Sequence, residues 1–424
     1  MDGTGGPYNA GLSLMLPMLS QAFLRLLVYR AGTTLSYQIL TVTAGWHIYS
    51  ITHDVLSLGL LGLAEVLPYF CSSLFAGHAV DVLSKRRLAI AGCLCHVLIA
   101  IGMIGVVAFA DHTAAASAGI YAAVGVAGLA RSLLRPSYQA MVVCVVERDK
   151  LAKAAALGTV VFDISLVSGP MMGGLLIAAT GVMAAYIATG LCALAAIAAL
   201  LTLRYAEPPV ESDGLSVFAS IGEGLKFVFS TQIMLAAITL DMFAVLFGGA
   251  VAILPAFIHD ILNGSPENLG LLRAMPAAGS ILISLWLTRV PLERNSGKIM
   301  MLSVGGFGAA TIAFGLSDSL WLAAACLFFT GLFDGVSVVL RHTILQLVTP
   351  QKMQGRVSAI NGVFIGSSNE LGALESGLTA NVLGLAPSII FGGCMTLVVV
   401  AISWFSAPQL RRLHVGDLHK PPDT

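Results

Sequence analysis

Long apolar runs separated by short polar clusters set the pattern of this 424-residue chain. A helix that crosses a bilayer needs about 20 mainly apolar residues. Twelve stretches reach that length: residues 21–49, 56–79, 88–110, 117–145, 155–179, 183–203, 233–258, 267–288, 298–316, 320–346, 357–383 and 387–406. Transmembrane strands would alternate apolar and polar residues over about 10 positions, and these runs do not. The longest break, 204–232, opens with Pro208-Pro209 and Glu211-Ser212-Asp213. Its second part places Leu215, Val217, Phe218, Ile221, Leu225 and Phe227-Val228-Phe229 at helical spacing, which predicts an amphipathic helix lying along a membrane surface. The pattern thus predicts an all-α membrane protein with twelve spanning helices. A six-helix bundle occupies 1–203, a linker 204–232, a second six-helix bundle 233–406, and a tail 407–424.

Composition agrees. The chain is 57% hydrophobic and 10% charged, where an average globular domain is roughly a quarter charged. With an inside N-terminus, the inside loops collect Lys85, Arg86, Arg87, Arg148, Lys150, Lys153, Arg204, Lys226, Arg289, Arg294, Lys298, Lys352 and Arg356, and the tail adds Arg411, Arg412 and Lys420. The outside loops hold His53, Asp54, Asp111, His112, His259, Asp260, Glu267 and Asp318, with no Lys or Arg. By the positive-inside rule both termini are cytoplasmic. The formal net charge of zero identifies no partner, since the two membrane faces differ. No leader pattern opens the chain, so the first run is expected to be retained. The seven Cys lie in or beside apolar runs and read as packing residues, with no paired spacing for a disulfide framework or a metal.

The halves repeat. A shift of 203 residues superposes Gly128-Leu129 on Gly331-Leu332, Val145 on Val348, Ala156 on Ala359, Gly169 on Gly372 and Gly174 on Gly377. A duplicated six-span unit implies a cleft between halves near the bilayer midplane, with access alternating as the halves rock.

Three motifs carry chemistry. Gly77-His-Ala-Val-Asp81-Val-Leu-Ser-Lys85-Arg86-Arg87 follows the second run and resembles the signature loop of the major facilitator superfamily. Ser84 and Val82 stand where that family often has glycine and arginine. Gly169-Pro170-Met-Met-Gly173-Gly174 in the fifth run resembles the core of that superfamily's antiporter signature, with Ala156 and Ser165 replacing two upstream glycines. Proline removes a backbone donor inside a helix, and glycine lets a neighbouring helix approach. Asp334 to Arg341, Thr349-Pro350, Gly355-Arg356-Val357 and Ser367-Ser368-Asn369-Glu370-Leu371-Gly372, with Leu240-Asp241 to Gly249 and Gly270-Leu-Leu-Arg273-Ala-Met-Pro276, are similar to the enterobactin-exporter-like branch, which also includes drug:proton antiporters. That resemblance implies a major facilitator fold, the inner membrane of a bacterium, and export driven by protons. It leaves the substrate open between a siderophore-like anion and a drug. Metalloprotease, nucleophile-elbow and phosphate-loop motifs are absent from the sequence, so no enzyme is expected. Asn263-Gly-Ser265, before Pro266, reads as a turn, not a glycan site.

Ionisable groups at membrane depth cost about 2.5–3.5 kcal/mol each, so they mark partnered or functional positions. The first half carries Arg25, Arg30, Glu65, Arg131, Arg135 and Asp163; the second carries Asp241, Arg273, Asp334, Arg341, Glu370 and Glu375. Four cations face two anions in one half, and two face four in the other. Asp163, Asp241, Glu370 and Glu375 are the proton-coupling candidates. Arg30, Glu65, Arg131, Arg135, Arg273 and Asp334 are the substrate-cleft candidates. Gly77, Asp81, Lys85, Arg86, Gly169, Pro170, Gly173, Gly174, Arg341, Gly355 and Arg356 are the gate candidates. Arg131 and Arg135 share a helix face. Asp334 and Arg341, about 10 Å apart along an axis, each need a partner elsewhere. Glu370 and Glu375, roughly 140° apart, cannot share a face. Pairing of Glu370 with Arg273 or Arg341 competes with a proton-carrying role. The expected protein is a monomeric transporter of a small molecule, without cofactor, metal or nucleic acid, with the proton as coupling ion. Import, lipophilic-drug efflux through a pocket lined by Tyr37, Trp46, Tyr69, Phe70, Phe162, Phe243 and Phe247, and a non-transporting sensor or scaffold are the alternatives.

Overall fold

A computed structural model describes residues 20–109, 112–147, 150–205, 217–290, 292–350 and 353–418. Gly77, Asp81 and Gly355 lie on helices there, but their surroundings fall outside that description. Among the described residues there is helix, turn and irregular connection, and no strand. The helices are α1 (Gln21–Thr52), α2 (Val55–Val82), α3 (Lys85–Phe109), α4 (Thr113–Val145), α5 (Leu151–Thr180) and α6 (Val182–Thr202), followed by the linker helix α7 (Val217–Ser230). Then come α8 (Gln232–Phe247), a 3₁₀ turn (Ala250–Ile253), α9 (Leu254–Asp260), α10 (Pro266–Leu287), α11 (Ser296–Gly315), α12 (Leu320–Val348), α13 (Gln354–Leu383) and α14 (Leu385–Ser406). Two one-turn helices, Pro408–Arg411 and Val415–Leu418, close the described chain.

Local chemistry sets the ends of these helices. Ser20 Oγ accepts from the Phe23 amide at 3.2 Å, and Asp54 Oδ1 from the Leu56 amide at 3.0 Å, capping α1 and α2. Gly181 and Gly384 each form the whole joint between two helices, at φ 89° and 90°, a conformation that favours glycine. They are 203 residues apart, the spacing of the sequence repeat.

Among the described residues, ten segments are long and apolar enough to cross a membrane: nine within single helices, and α8 together with α9 as Gln232–Asp260. The two other runs form α1 and α13, of 32 and 30 residues, which have the length but are more polar. The seventh run is not one continuous helix. It breaks at Gly248-Gly249, where a Cβ on Gly248 would stand 2.3 Å from the Phe307 ring and one on Gly249 would stand 2.6 Å from the Gly372 carbonyl. Close neighbours fill the space a side chain would need, and Pro255 starts the short α9.

Helix α1 packs on α5 and α6, α2 on α4, and α3 on α4 and α6. Shifted along the chain, α8 packs on α13 and α14, α10 on α12, and α11 on α12 and α14. The two sets meet through α2 against α13 and α5 against α10, each contact being the other's image under the repeat. Both crossings put glycine on glycine. A Cβ on Gly377 would lie 2.6 Å from the Gly59 Cα, and one on Gly174 would lie 2.9 Å from the Gly270 Cα.

The ends of the molecule differ. At the end bearing the 53–54, 181, 261–265 and 384 turns, buried side chains from both sets form common cores. Ile39, Val42 and Ile177 join Leu254, Phe257 and Leu272, while Leu40, Ile48 and Tyr49 surround Ala256. Tyr49 donates to Asp260 across the same seam. At the other end, which carries the basic loops, each core belongs to one set: Phe23, Leu26, Met141 and Leu200 in the first, Met300, Met301, Ile344 and Leu410 in the second. Among the described residues the halves are therefore joined at the end without Lys or Arg and packed as separate cores at the basic end. Helix α7 lies against α13, with Gly224 over Ile360 and an ion pair between Glu223 and Arg356.

The glycine crossings give a stability prediction. Gly174→Leu and Gly377→Leu should each cost about 1–3 kcal/mol through overpacking. Gly102→Ala, with no neighbouring atom within 4 Å, should be neutral or gain up to about 1 kcal/mol. Thermal unfolding in detergent measures this, and equal midpoints for all three variants would refute the packing argument.

Candidate functional site

Four long helices bring polar side chains together midway between the two ends. Arg131 of α4 donates through Nη1 to Glu65 of α2 at 2.7 Å, to the Tyr37 hydroxyl of α1 at 2.6 Å and to Glu370 of α13 at 3.2 Å. The Tyr37 hydroxyl in turn donates to Glu65. The guanidinium also lies over the Tyr69 ring, 4.4 Å from its centroid, a stacking that favours a cation. Glycines shape the approach. A Cβ on Gly128 would stand 2.4 Å from the Glu65 carbonyl, and one on Gly62 would stand 2.7 Å from the Ala373 Cβ. Backbone proximity thus brings Glu65 and Glu370 to a single arginine.

Arg273 of α10 completes the cluster. Its Nη1 reaches the Thr41 carbonyl of α1 at 3.4 Å, with Tyr37, Glu65 and Glu370 in electrostatic range. Two guanidinium groups thus balance two carboxylates. Charge-assisted bonds of this kind are roughly twice as strong as neutral ones. Removing one partner of a buried pair leaves the other uncompensated, at a cost of about 3–5 kcal/mol.

A second ionic group lies wholly in the second set of helices. Asp241 of α8 pairs with Arg341 of α12, their side chains only 5% and 3% exposed. Asp334, two turns from Arg341 on α12, joins Asp241 and Ser337 around a small cavity. Arg341 is thus a core ion-pair partner of Asp241. A third group lies in the first set. Arg30 is held between the rings of Tyr138 and Phe162, at 4.8 and 4.5 Å, with Asp163 and Arg135 in electrostatic range. Arg135 is exposed and lies in range of His342 from α12. Although they share a helix face, Arg131 enters the central cluster and Arg135 belongs with Arg30. Glu375 makes no ion pair among the described residues, and the carboxylates that pair with Arg131 are Glu65 and Glu370.

The motif residues fall elsewhere. Arg86 donates to the Leu203 and Leu201 carbonyls at 3.2 and 2.6 Å, closing the C-terminus of α6, and Lys85 begins α3. Gly169 and Gly173 pack on α1, at Gln38 and at Ile39 with Val42, while Gly174 and the Pro170 carbonyl meet Gly270 of α10. Arg356 pairs with Glu223 on the linker helix. Reading the sequence left out the Tyr37–Glu65–Arg131 link, the stacking of Tyr138 on Arg30, and His342. The available signal was that buried charges need partners. Which partners they take depends on how distant helices align.

The chain is 26% identical to the enterobactin exporter EntS of Shigella boydii over 414 residues, covering 94% of this chain and 97% of that one. It is 24% identical to the multidrug efflux pump Tap of Mycolicibacterium fortuitum over 406 residues, covering 93% and 97%. Its fold matches a bacterial homologue of the human lysosomal transporter Spinster, crystallised inward-facing and occupied, with TM-score 0.72, 13% identity and coverage of 99% and 100%. It also matches a D-xylose–proton symporter, with TM-score 0.72, 10% identity and coverage of 92% and 99%. Residues 12–419 match the family of transmembrane secretion effectors, and with nearly its whole length inside that match the chain belongs to this family of the major facilitator superfamily of transporters.

Proposed function

We propose that this protein is a proton-coupled exporter of a small organic molecule in the inner membrane of a bacterium. It has twelve spans with both termini cytoplasmic, and it works by alternating access between two six-helix halves. The observation that carries the reading is the double use of Arg131, which holds Glu65 from its own half and Glu370 from the other. For the halves to part at the centre, the bond to Glu370 must break. A proton on Glu370 removes the charge that holds it, so once the bond is broken it reforms only as that proton leaves, which couples proton release to the resetting of the halves.

The cycle follows from the two ends. With the basic end on the cytoplasmic side, the separately packed cores make this the state open to the cytoplasm. Substrate enters there, and its polar or anionic group competes with Glu370 for Arg131. The halves then rock about the α2–α13 and α5–α10 glycine crossings, the outer cores separate, and substrate leaves. Glu370 takes a proton from outside, returns neutral, and releases it to the cytoplasm as the bond to Arg131 reforms. Arg30 and Arg135 add positive charge to the cleft wall, which favours an anionic cargo. The exporter names among the relatives support the direction of transport.

Two outcomes are expected. In liposomes with an internal pH dye, opposed gradients of a catecholate or a lipophilic cationic dye should drive proton movement in the wild type, and the cargo class that does so identifies the substrate. Glu370→Gln should lower that net exchange at least about tenfold while keeping substrate-for-substrate exchange, which needs no proton step. Cargo flux indifferent to collapse of the pH gradient would sink the proton-coupled reading. In a cysteine-free background, Asp260→Asn weakens the Tyr49 bond across the outer seam. It should raise maleimide labelling of a cysteine at Leu254 from the outer side by about 5-fold or more, as loss of a hydrogen bond to a charged group implies. Unchanged labelling would show that this bond does not hold the outer end shut.

A further inference from the structure

The second ionic group lies away from the central cluster and contains more carboxylate than its arginine can balance. Asp241, Ala244 and Val245 of α8, Val304 and Phe307 of α11, and Asp334 and Ser337 of α12 enclose a cavity of ≈ 10 Å³, about the space of one water-sized particle. The Asp241–Arg341 pair uses Oδ2 of Asp241 and leaves Oδ1 without a hydrogen bond among the described residues. Asp334 makes no ion pair among them either. Two carboxylates against one guanidinium leave one carboxylate without a cation to balance it in the interior of a helix bundle, where an unbalanced charge is costly.

Two further features converge on the same space. Ser337 is 1% exposed, lines the cavity, and its Oγ is buried without a hydrogen-bond partner. Ala244 belongs to the last turn of α8, which ends at the Gly248-Gly249 break. The C-terminal end of a helix carries partial negative charge, and interrupted helices with such ends are places where transporters coordinate cations. The Ala244 carbonyl itself is taken by the Gly248 amide and Thr396, so the polar side chains lining the cavity, Asp241, Asp334 and Ser337, supply the oxygens that hard cations prefer.

We propose that this cavity is a binding site for one sodium ion, held by Asp241, Asp334 and Ser337. The charge selects a monovalent ion, because a single cation balances the excess carboxylate while Arg341 opposes a second positive charge. The volume selects a small one. The site joins α8 to α12 within one half, so its occupancy stabilises that half whatever the substrate does at Arg131. It does not depend on the proton-coupled reading, and it is measured without a gradient or a cargo.

The test uses the full-length protein in detergent, with thermal unfolding followed in NaCl, KCl and choline chloride at equal ionic strength, together with radiosodium binding. Sodium alone should raise Tm and bind saturably. Asp334→Asn should abolish both effects, and Ser337→Ala, which removes only the unpartnered hydroxyl, should weaken apparent sodium affinity about tenfold. If Asp334→Asn does not fold, Ser337→Ala decides the question alone. Equal responses to all three salts, sodium binding unchanged in Ser337→Ala, or stabilisation by lowered pH in place of sodium would each overturn the proposal.

Discussion

A guanidinium placed midway along a bundle of apolar helices has to be surrounded by acceptors, and the rest of this structure accommodates that need at Arg131. Its charge is met by two carboxylates, a hydroxyl and an aromatic face contributed from three other helices. Holding those groups within bonding distance brings α2 onto α13, and that approach is possible only because Gly59, Gly62 and Gly377 present no side chain at the crossing. Electrostatics and close packing therefore specify the same contact. Neither alone would place a carboxylate from residue 370 beside an arginine at residue 131.

Several other charges follow the same rule on a smaller scale. Asp241 and Arg341 satisfy each other in the core of one half, while Arg30 rests on two rings in the other. At the ends of the helices, Arg25 and Arg86 satisfy carbonyls at the C-terminus of α6. The basic loop after α2 thus has a structural use beyond setting orientation. Arg86 ties the start of α3 to the end of α6, and cations are favourable at that end of a helix dipole.

Much of the architecture could be read from the chain. Long apolar runs are local signals, and so are the helix-ending glycines at 181 and 384 and the amphipathic spacing of 217–229. The repeat offset of 203 reappears in the matched packing of the two helix sets. The break after Phe247 was written in Gly248-Gly249, but an uninterrupted apolar run conceals it, because the cause is the approach of Phe307 and Gly372 from other helices. The site was legible only as a set of residue types. Arg131 finds its carboxylates 66 and 239 positions away, and helical periodicity says which face a residue occupies without saying which helix faces it. Glu370 and Glu375 show the difference: their divergence followed from angle alone, while the choice of Arg131 over Arg273 or Arg341 as Glu370's direct partner required the packed structure.

The polarity of α1 bears on how the protein is made. Thr33, Thr34, Ser36, Thr41, Thr43 and His47 are all buried on this helix, and Ser36 bonds to the Thr189 carbonyl of α6 at 2.9 Å. Its chief partners, α5 and α6, begin about 100 and 130 residues after it ends, which at ordinary synthesis rates is a delay on the order of ten seconds. During that interval Thr33, Thr34, Thr41 and Thr43 bond to carbonyls of α1 itself, whereas Ser36 and His47 wait for Thr189 and Tyr186 of α6. Helix α13, similarly polar, emerges when α2 and α8 already exist. Two helices of like composition thus face different conditions at birth, and the first spends that interval with two buried polar groups whose partners come only with the sixth.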